Sequence, residues 1–148
     1  MGKCCDNTDT INLLKECDAG SKMAVTSIDE ILEDVMDERM KKLLIESKEH
    51  HEKLGNEIHQ QLNKNCADGK EPNIMAKGMS WMKTNVKLGM DASDATIADL
   101  MTDGCNMGIK SLNKYLNEYE NADEASRKLC VRLIAIEEKL CKELEEYL

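Results

Sequence analysis

The sequence contains no phenylalanine, one tryptophan, three tyrosines and one proline among its 148 residues. β-Sheets favour aromatic and β-branched side chains, so the scarcity of aromatic residues argues against a sheet-based fold. The apolar residues that are present, 41% of the chain, include ten methionines. Aliphatic and methionine side chains suit packing between helices. The composition therefore predicts an all-α protein, and its length suits one domain.

The chain also lacks a long apolar run and an excess of basic residues. No stretch reaches the ~18 apolar residues of a membrane span, and the N-terminus has no signal-peptide core. Twenty Lys and Arg against 29 Asp and Glu give a net charge of −9, which disfavours nucleic acid and anionic membranes as partners. Seven cysteines without a secretion signal indicate free thiols in a reducing compartment. We expect a cytoplasmic protein, and a homodimer is an open alternative for its assembly.

An internal repeat organises the chain. Residues 37–58 return 86 positions later as residues 123–144, with eight of 22 aligned positions identical. Just upstream, ECDAGSK at 16–22 recurs as GCNMGIK at 104–110. Two consecutive helices are therefore predicted to be repeated as a unit.

Apolar residues spaced three and four apart predict five helices and no strand. The expected domain covers residues 8–148 after a disordered N-terminus of residues 1–7. It divides into a hairpin at 8–63, with helices over 8–35 and 37–63, a crossover helix at 72–90, and a hairpin at 95–148. The short links at 36–37 and 122–123 make each flanking helix pair antiparallel. Asp37 is a suitable N-cap, as is Ser93 or Asp94.

Two repeated antiparallel hairpins joined by a crossover resemble the ferritin-like superfamily over residues 8–148. The resemblance implies a four-helix bundle with an extra helix in the crossover and an approximate twofold axis. A connection that traverses the bundle sets which residues of the two hairpins stand at the same height. The layer halfway along the helices is predicted to contain Ser21, His51, Gly108 and Glu137, of which His51 and Glu137 are equivalent positions of the repeat.

The di-metal members of this superfamily carry one Glu on each of two helices and Glu-x-x-His on each of the other two. Here Ser47 and Lys48 stand three residues before His50 and His51, and Leu140 follows Glu137 at the critical spacing. An intact di-iron centre is therefore not expected.

One asymmetric transition metal ion, Fe or Zn, is the alternative that these residues leave open. Its candidate ligands are Asp18, Glu46, His50, His51 and Glu137. Asp18 lies beside the core stripe of the first helix, and we favour an outward-facing side chain over a half-buried, partnered one. The competing interpretation, which we favour over the metal, makes the histidine pair one hydrogen-bonded interior imidazole and one surface neighbour.

Thiols supply a third possibility. Cys17 and Cys105 occupy matching inward positions, and Cys105 and Cys141 are expected to be neighbours. Such soft ligands suit Cu(I) or Zn(II), although no CxxC or CxxxC spacing is present. The sequence identifies no catalytic or organic-cofactor residue. The leading hypothesis is a non-enzymatic binding or stress-related module; the alternatives are a His/carboxylate metal-binding protein and a thiol-based soft-metal or redox protein.

Overall fold

The computed structural model of the protein describes residues 7–70 and 93–148, and this part of the chain is helical without strands. The all-α prediction is confirmed there. The predicted crossover helix at 72–90, and residues 1–6 of the predicted disordered N-terminus, lie outside the described residues. The four long helices are α1 Thr8–Ile31, α2 Glu38–Lys64, α3 Asp94–Glu118 and α4 Glu124–Leu144, and 3-10 turns at Leu32–Asp34 and Glu145–Tyr147 follow α1 and α4.

Each helix begins at a side chain that accepts a hydrogen bond from a backbone N–H of the first turn. These N-caps are Asn7, Asp37, Ser93 and Asp123. Such a cap satisfies one of the free N–H groups at the helix start and contributes about 1 kcal/mol. The prediction for Asp37 is confirmed, and of the two candidates before α3 it is Ser93 that caps.

The predicted continuation of the first helix to Val35 is wrong. The α-helix ends at Ile31, and Val35 is extended and 1% exposed. The intervening 3-10 turn is tighter than an α-helix. It redirects the chain so that Val35 packs into the core before α2 begins.

Hydrogen bonds at the two ends of the molecule fix the helix directions. Asp94 at the start of α3 accepts bonds from the N–H groups of Met36 and Asp37, in the turn between α1 and α2, at 2.8 and 2.9 Å. At the opposite end, Thr10 accepts a bond from the N–H of Asp123 at 2.8 Å. Helix α3 is therefore antiparallel to α1, and α4 is parallel to it. Helix α2 ends at Lys64 on the side of the α3–α4 turn, and α3 begins at Asp94 on the side of the α1–α2 turn.

Two apolar clusters form the core, one near each end of the bundle. Each fully buried Leu or Ile contributes roughly 1.5–3 kcal/mol. The cluster near the α1–α2 turn includes Ile28, Ile31, Val35, Met40, Leu44, Ile97, Met101, Leu140 and Leu144. The cluster near the α3–α4 turn includes Leu13, Leu14, Cys17, Leu54, Ile58, Leu62, Leu112 and Leu133. None of the described helices has an apolar stretch of the kind needed to cross a bilayer.

The segment after α2 folds back onto α1 through a buried carboxylate. Asp18 is 2% exposed. Its Oδ2 accepts a hydrogen bond from the backbone N–H of Lys70 at 2.8 Å, and the same oxygen forms an ion pair with Lys22 Nζ at 2.8 Å. The prediction that Asp18 turns outward is therefore wrong. A Cβ atom on Gly69 would lie 2.5 Å from the same Oδ2, so this close approach requires glycine.

We predict that Gly69→Ala lowers the free energy of unfolding by about 1–3 kcal/mol, because the carboxylate it would displace is locked by two partners. Urea denaturation measures the change. Gly20→Ala is the control, since its Cβ would meet only Leu133 Cδ2 at 3.8 Å. That helix-interior change is expected to stabilise by about 0.5–1 kcal/mol. A Gly69→Ala protein as stable as the unaltered chain would contradict this account of the fold-back.

Candidate functional site

A buried polar pair lies between the two apolar clusters. His51 Nε2 on α2 is 3.0 Å from Glu137 Oε1 on α4. His51 is completely buried and Glu137 is 8% exposed. The two residues stand at positions of the repeat that the sequence predicts to be equivalent. The histidine interpretation is confirmed, because His51 is a hydrogen-bonded interior imidazole and His50 is exposed.

The second imidazole nitrogen fixes the tautomer. His51 Nδ1 lies 2.8 Å from the backbone carbonyl oxygen of Ser47, one turn earlier on α2. A carbonyl oxygen only accepts, so we assign the hydrogen on Nδ1 as the donor of this bond. The proton between Nε2 and the Glu137 carboxyl group is therefore the one that can move, and the pair is either imidazolium–carboxylate or imidazole–carboxylic acid.

Opposing effects set the pKa of His51. Burial, the largest single effect, lowers the pKa because it disfavours the charged imidazolium. The hydrogen bond to Glu137, the negative charge of Glu137 and the Ser47 carbonyl all raise it, and together they prevail. The pKa of His51 is therefore raised above its usual value. The surroundings of His51 in the folded protein thus stabilise its imidazolium form relative to free histidine.

Cys105 on α3 is the third member of this group. Burial raises the pKa of its thiol far above the usual range, and the charge of Glu137 and a hydrogen bond to it act in the same direction. Cys141 also lies close enough to affect the Cys105 thiol, in agreement with the prediction that the two are neighbours. The Cys105 thiol is therefore protonated in the folded protein, and it is unreactive in that form because the thiolate is the nucleophile.

An elongated cleft of about 390 Å³ runs between α1 and α3, and Glu137 lies on its floor. Its walls carry small side chains, including Ala19 and Gly20 on α1 and Gly104 and Gly108 on α3. These leave a gap where larger residues would fill the space between the helices. The volume falls within the ~300–1,000 Å³ typical of small-molecule sites. We call this feature the α1/α3 cleft.

The structure brings together two of the five residues predicted as metal ligands, His51 and Glu137. Asp18 is held instead by Lys22 and the N–H of Lys70. Glu46 and His50 are both exposed, beside a small surface depression. Within residues 7–70 and 93–148 no group of three or more His, Cys, Asp or Glu side chains is placed to hold a metal ion. Metal binding stays a prediction.

Sequence reasoning missed a second thiol contact. Cys17 on α1 and Cys130 on α4 belong to the same core cluster, and both side chains are fully buried. The interaction between the two thiols is the main reason why the pKa of Cys17 is raised and that of Cys130 is lowered. The Cys130 thiol donates a hydrogen bond to the Leu112 carbonyl oxygen at 3.8 Å. Cys130 is a core position within the last helix, but no spacing in the sequence connects it with Cys17.

No known family model matches the sequence, and no curated protein shows significant similarity to it. Function therefore has to be argued from the cleft and the polar pair, because a helical fold alone does not specify an activity.

We predict that the His51 imidazole titrates above the ordinary value of about 6.5, and that in Glu137→Gln it titrates below the wild-type value. The substitution removes the charge that raises the pKa and leaves the burial that lowers it. Proton–nitrogen NMR of the imidazole rings measures both values. His59→Gln, at an exposed position on α2, serves to assign the signals.

The raised pKa of His51 also makes the free energy of unfolding depend on pH. A raised folded-state pKa stabilises the protein fully below the unfolded value of about 6.5, and this contribution is lost as the pH rises through the folded-state value. The stability difference between wild type and Glu137→Gln is therefore expected to shrink with rising pH. A His51 pKa below 6.5 in the wild type, or a stability difference independent of pH, would contradict the assignment.

Thiol reactivity is predicted to follow burial. Iodoacetamide should modify the exposed Cys66 in the folded protein, whereas the buried Cys17, Cys105 and Cys130 should react only after unfolding. Mass spectrometry of peptides from native and denatured samples distinguishes the sites. Rapid modification of Cys105 in the folded state would instead favour the thiol-based alternative.

Proposed function

We propose that the protein is a non-enzymatic binding module on a ferritin-like bundle, and that the α1/α3 cleft binds an elongated apolar ligand. The observation that carries the proposal is the cleft itself, an open and largely apolar channel along the molecule. Apolar surface of this kind is unfavourable in water and characteristically marks a binding site.

The ferritin-like part of the proposal is supported by helix direction and by the repeat. The chain forms two antiparallel hairpins, and α2 and α3 run in the same direction, as a traversing connection requires. His51 and Glu137, equivalent positions of the repeat, contact each other between α2 and α4. Such a contact is expected where a twofold axis passes between the two helices.

The rim of the cleft carries flexible methionine side chains, which can form an adaptable binding surface. Met23 on α1 and Met107 on α3 line it and are 36% and 57% exposed. Methionine is flexible and polarizable, so it can adjust to a ligand surface. Each 100 Å² of apolar surface that a ligand removes from water contributes roughly 2.5 kcal/mol. A ligand that covers only part of the apolar surface of the cleft is therefore expected to bind measurably.

The chemistry of the described residues around the cleft favours binding over catalysis. The Cys105 thiol is held in its protonated form by burial and by Glu137. The imidazole of His51 is hydrogen-bonded at both nitrogens, to Ser47 and Glu137. These groups therefore lack the free lone pair that a nucleophile or general base needs.

We predict that Gly104→Leu fills the cleft and weakens binding of 1-octanol at least tenfold, while the protein remains folded. Leucine is a better helix former than glycine. Isothermal titration calorimetry measures the affinity. Asn117→Leu is the matched control, because it adds the same side chain at an exposed position of α3 that does not line the cleft. Equal affinities in wild type and Gly104→Leu, or no binding to the wild type, would contradict the proposal.

A further inference from the structure

We propose that the natural ligand of the α1/α3 cleft is an aliphatic amine, whose ammonium group binds the Glu137 carboxylate at the centre of the channel. This inference rests on the proposed function and specifies its ligand class. The proposed ligand is therefore a flexible chain with one positive charge, and not a fatty acid, a neutral lipid or a peptide helix.

Glu137 retains acceptor capacity on its cleft side. A carboxylate offers about four lone-pair positions, and His51 uses one of them through its hydrogen bond to Oε1. Its side chain is 11% exposed. An ammonium group carries three donors and no acceptor, so it complements a site that can only accept.

Gly108 gives a ligand access to this carboxylate. A Cβ on Gly108 would lie 3.8 Å from Glu137 Cδ and 3.9–4.0 Å from its two oxygens. That is ordinary van der Waals contact, and any longer side chain would cover the carboxyl group. The glycine therefore leaves the Glu137 carboxyl group uncovered on its cleft side.

The chain itself shows how an alkylammonium group fits at one end of the cleft. The side chain of Lys70 is four methylenes ending in an ammonium group; it lines the cleft and pairs with Glu16. Glu16 and Glu137 are the carboxylates of the channel, and Lys70 is its one cation among the described lining residues. Because Lys70 is paired with Glu16, no cation among the described lining residues faces Glu137.

The dimensions of the cleft favour a single flexible chain. The α1 wall from Glu16 to Ser27 spans eleven helical steps, or about 17 Å at 1.5 Å per residue. A volume of about 390 Å³ over this length leaves a mean cross-section on the order of 20 Å². Methylene groups match the apolar walls, and the charged end matches Glu137.

Three ligands of equal chain length test the inference: octylammonium, 1-octanol and octanoate, each titrated into the protein by calorimetry at pH 7. Charge-assisted hydrogen bonds are stronger than neutral ones, so we expect octylammonium to bind about tenfold or more tightly than 1-octanol. Octanoate should bind most weakly, because it faces a like charge. The Gly108 and Gly104 amide signals should shift on addition of octylammonium.

Glu137→Gln should abolish the preference for octylammonium over 1-octanol. Glu46→Gln removes the same charge at an exposed position outside the cleft, so it should keep the preference. Equal or tighter binding of octanoate, or an unchanged preference in Glu137→Gln, would overturn the amine assignment but leave the cleft as a binding site. If none of the three ligands binds, both proposals fail. Should Glu137→Gln not fold, the order of the three affinities in the wild type still decides.

Discussion

A buried histidine and a buried glutamate meet at the middle of the bundle, where two apolar clusters adjoin. Removing either polar side chain from water is costly, and the hydrogen bond between His51 and Glu137 offsets that cost only while both are present. This pairing fixes the register of α2 against α4, since sliding either helix by one turn would leave a buried polar side chain without its partner. Surface contacts such as the Glu57–Arg132 ion pair follow the same register.

The pair of His51 and Glu137 also places one carboxyl group at a fixed position in the largely apolar α1/α3 cleft. Glu137 is held from one side by His51, and its other face lies against Gly108 and Cys105 on α3. The carboxyl group is thus oriented in the protein alone, and for the amine that we propose as the ligand this limits the entropic cost of binding. The apolar cleft would then select such a ligand by charge as well as by shape.

Helical periodicity and cap residues were sufficient to predict the four described helices apart from the end of the first, their antiparallel pairing, and the burial of one of the two adjacent histidines. These features depend on residues close together in the sequence. The burial of Asp18 was not predictable in this way, because it depends on Lys70 folding back from more than fifty positions away. The pairing of Cys17 with Cys130 and the width of the cleft depend likewise on how far apart packed helices lie. Periodicity does not encode that distance.

The most direct test of the central interaction is a double-mutant cycle with His51→Leu and Glu137→Met, measured by denaturant unfolding at pH 7. Each single substitution leaves one buried polar group without its partner, whereas the double substitution replaces the pair by apolar side chains. We predict that the double variant is more stable than the sum of the single effects by about 1–3 kcal/mol. Additive effects would contradict the account, because they would show that the two side chains do not depend on each other.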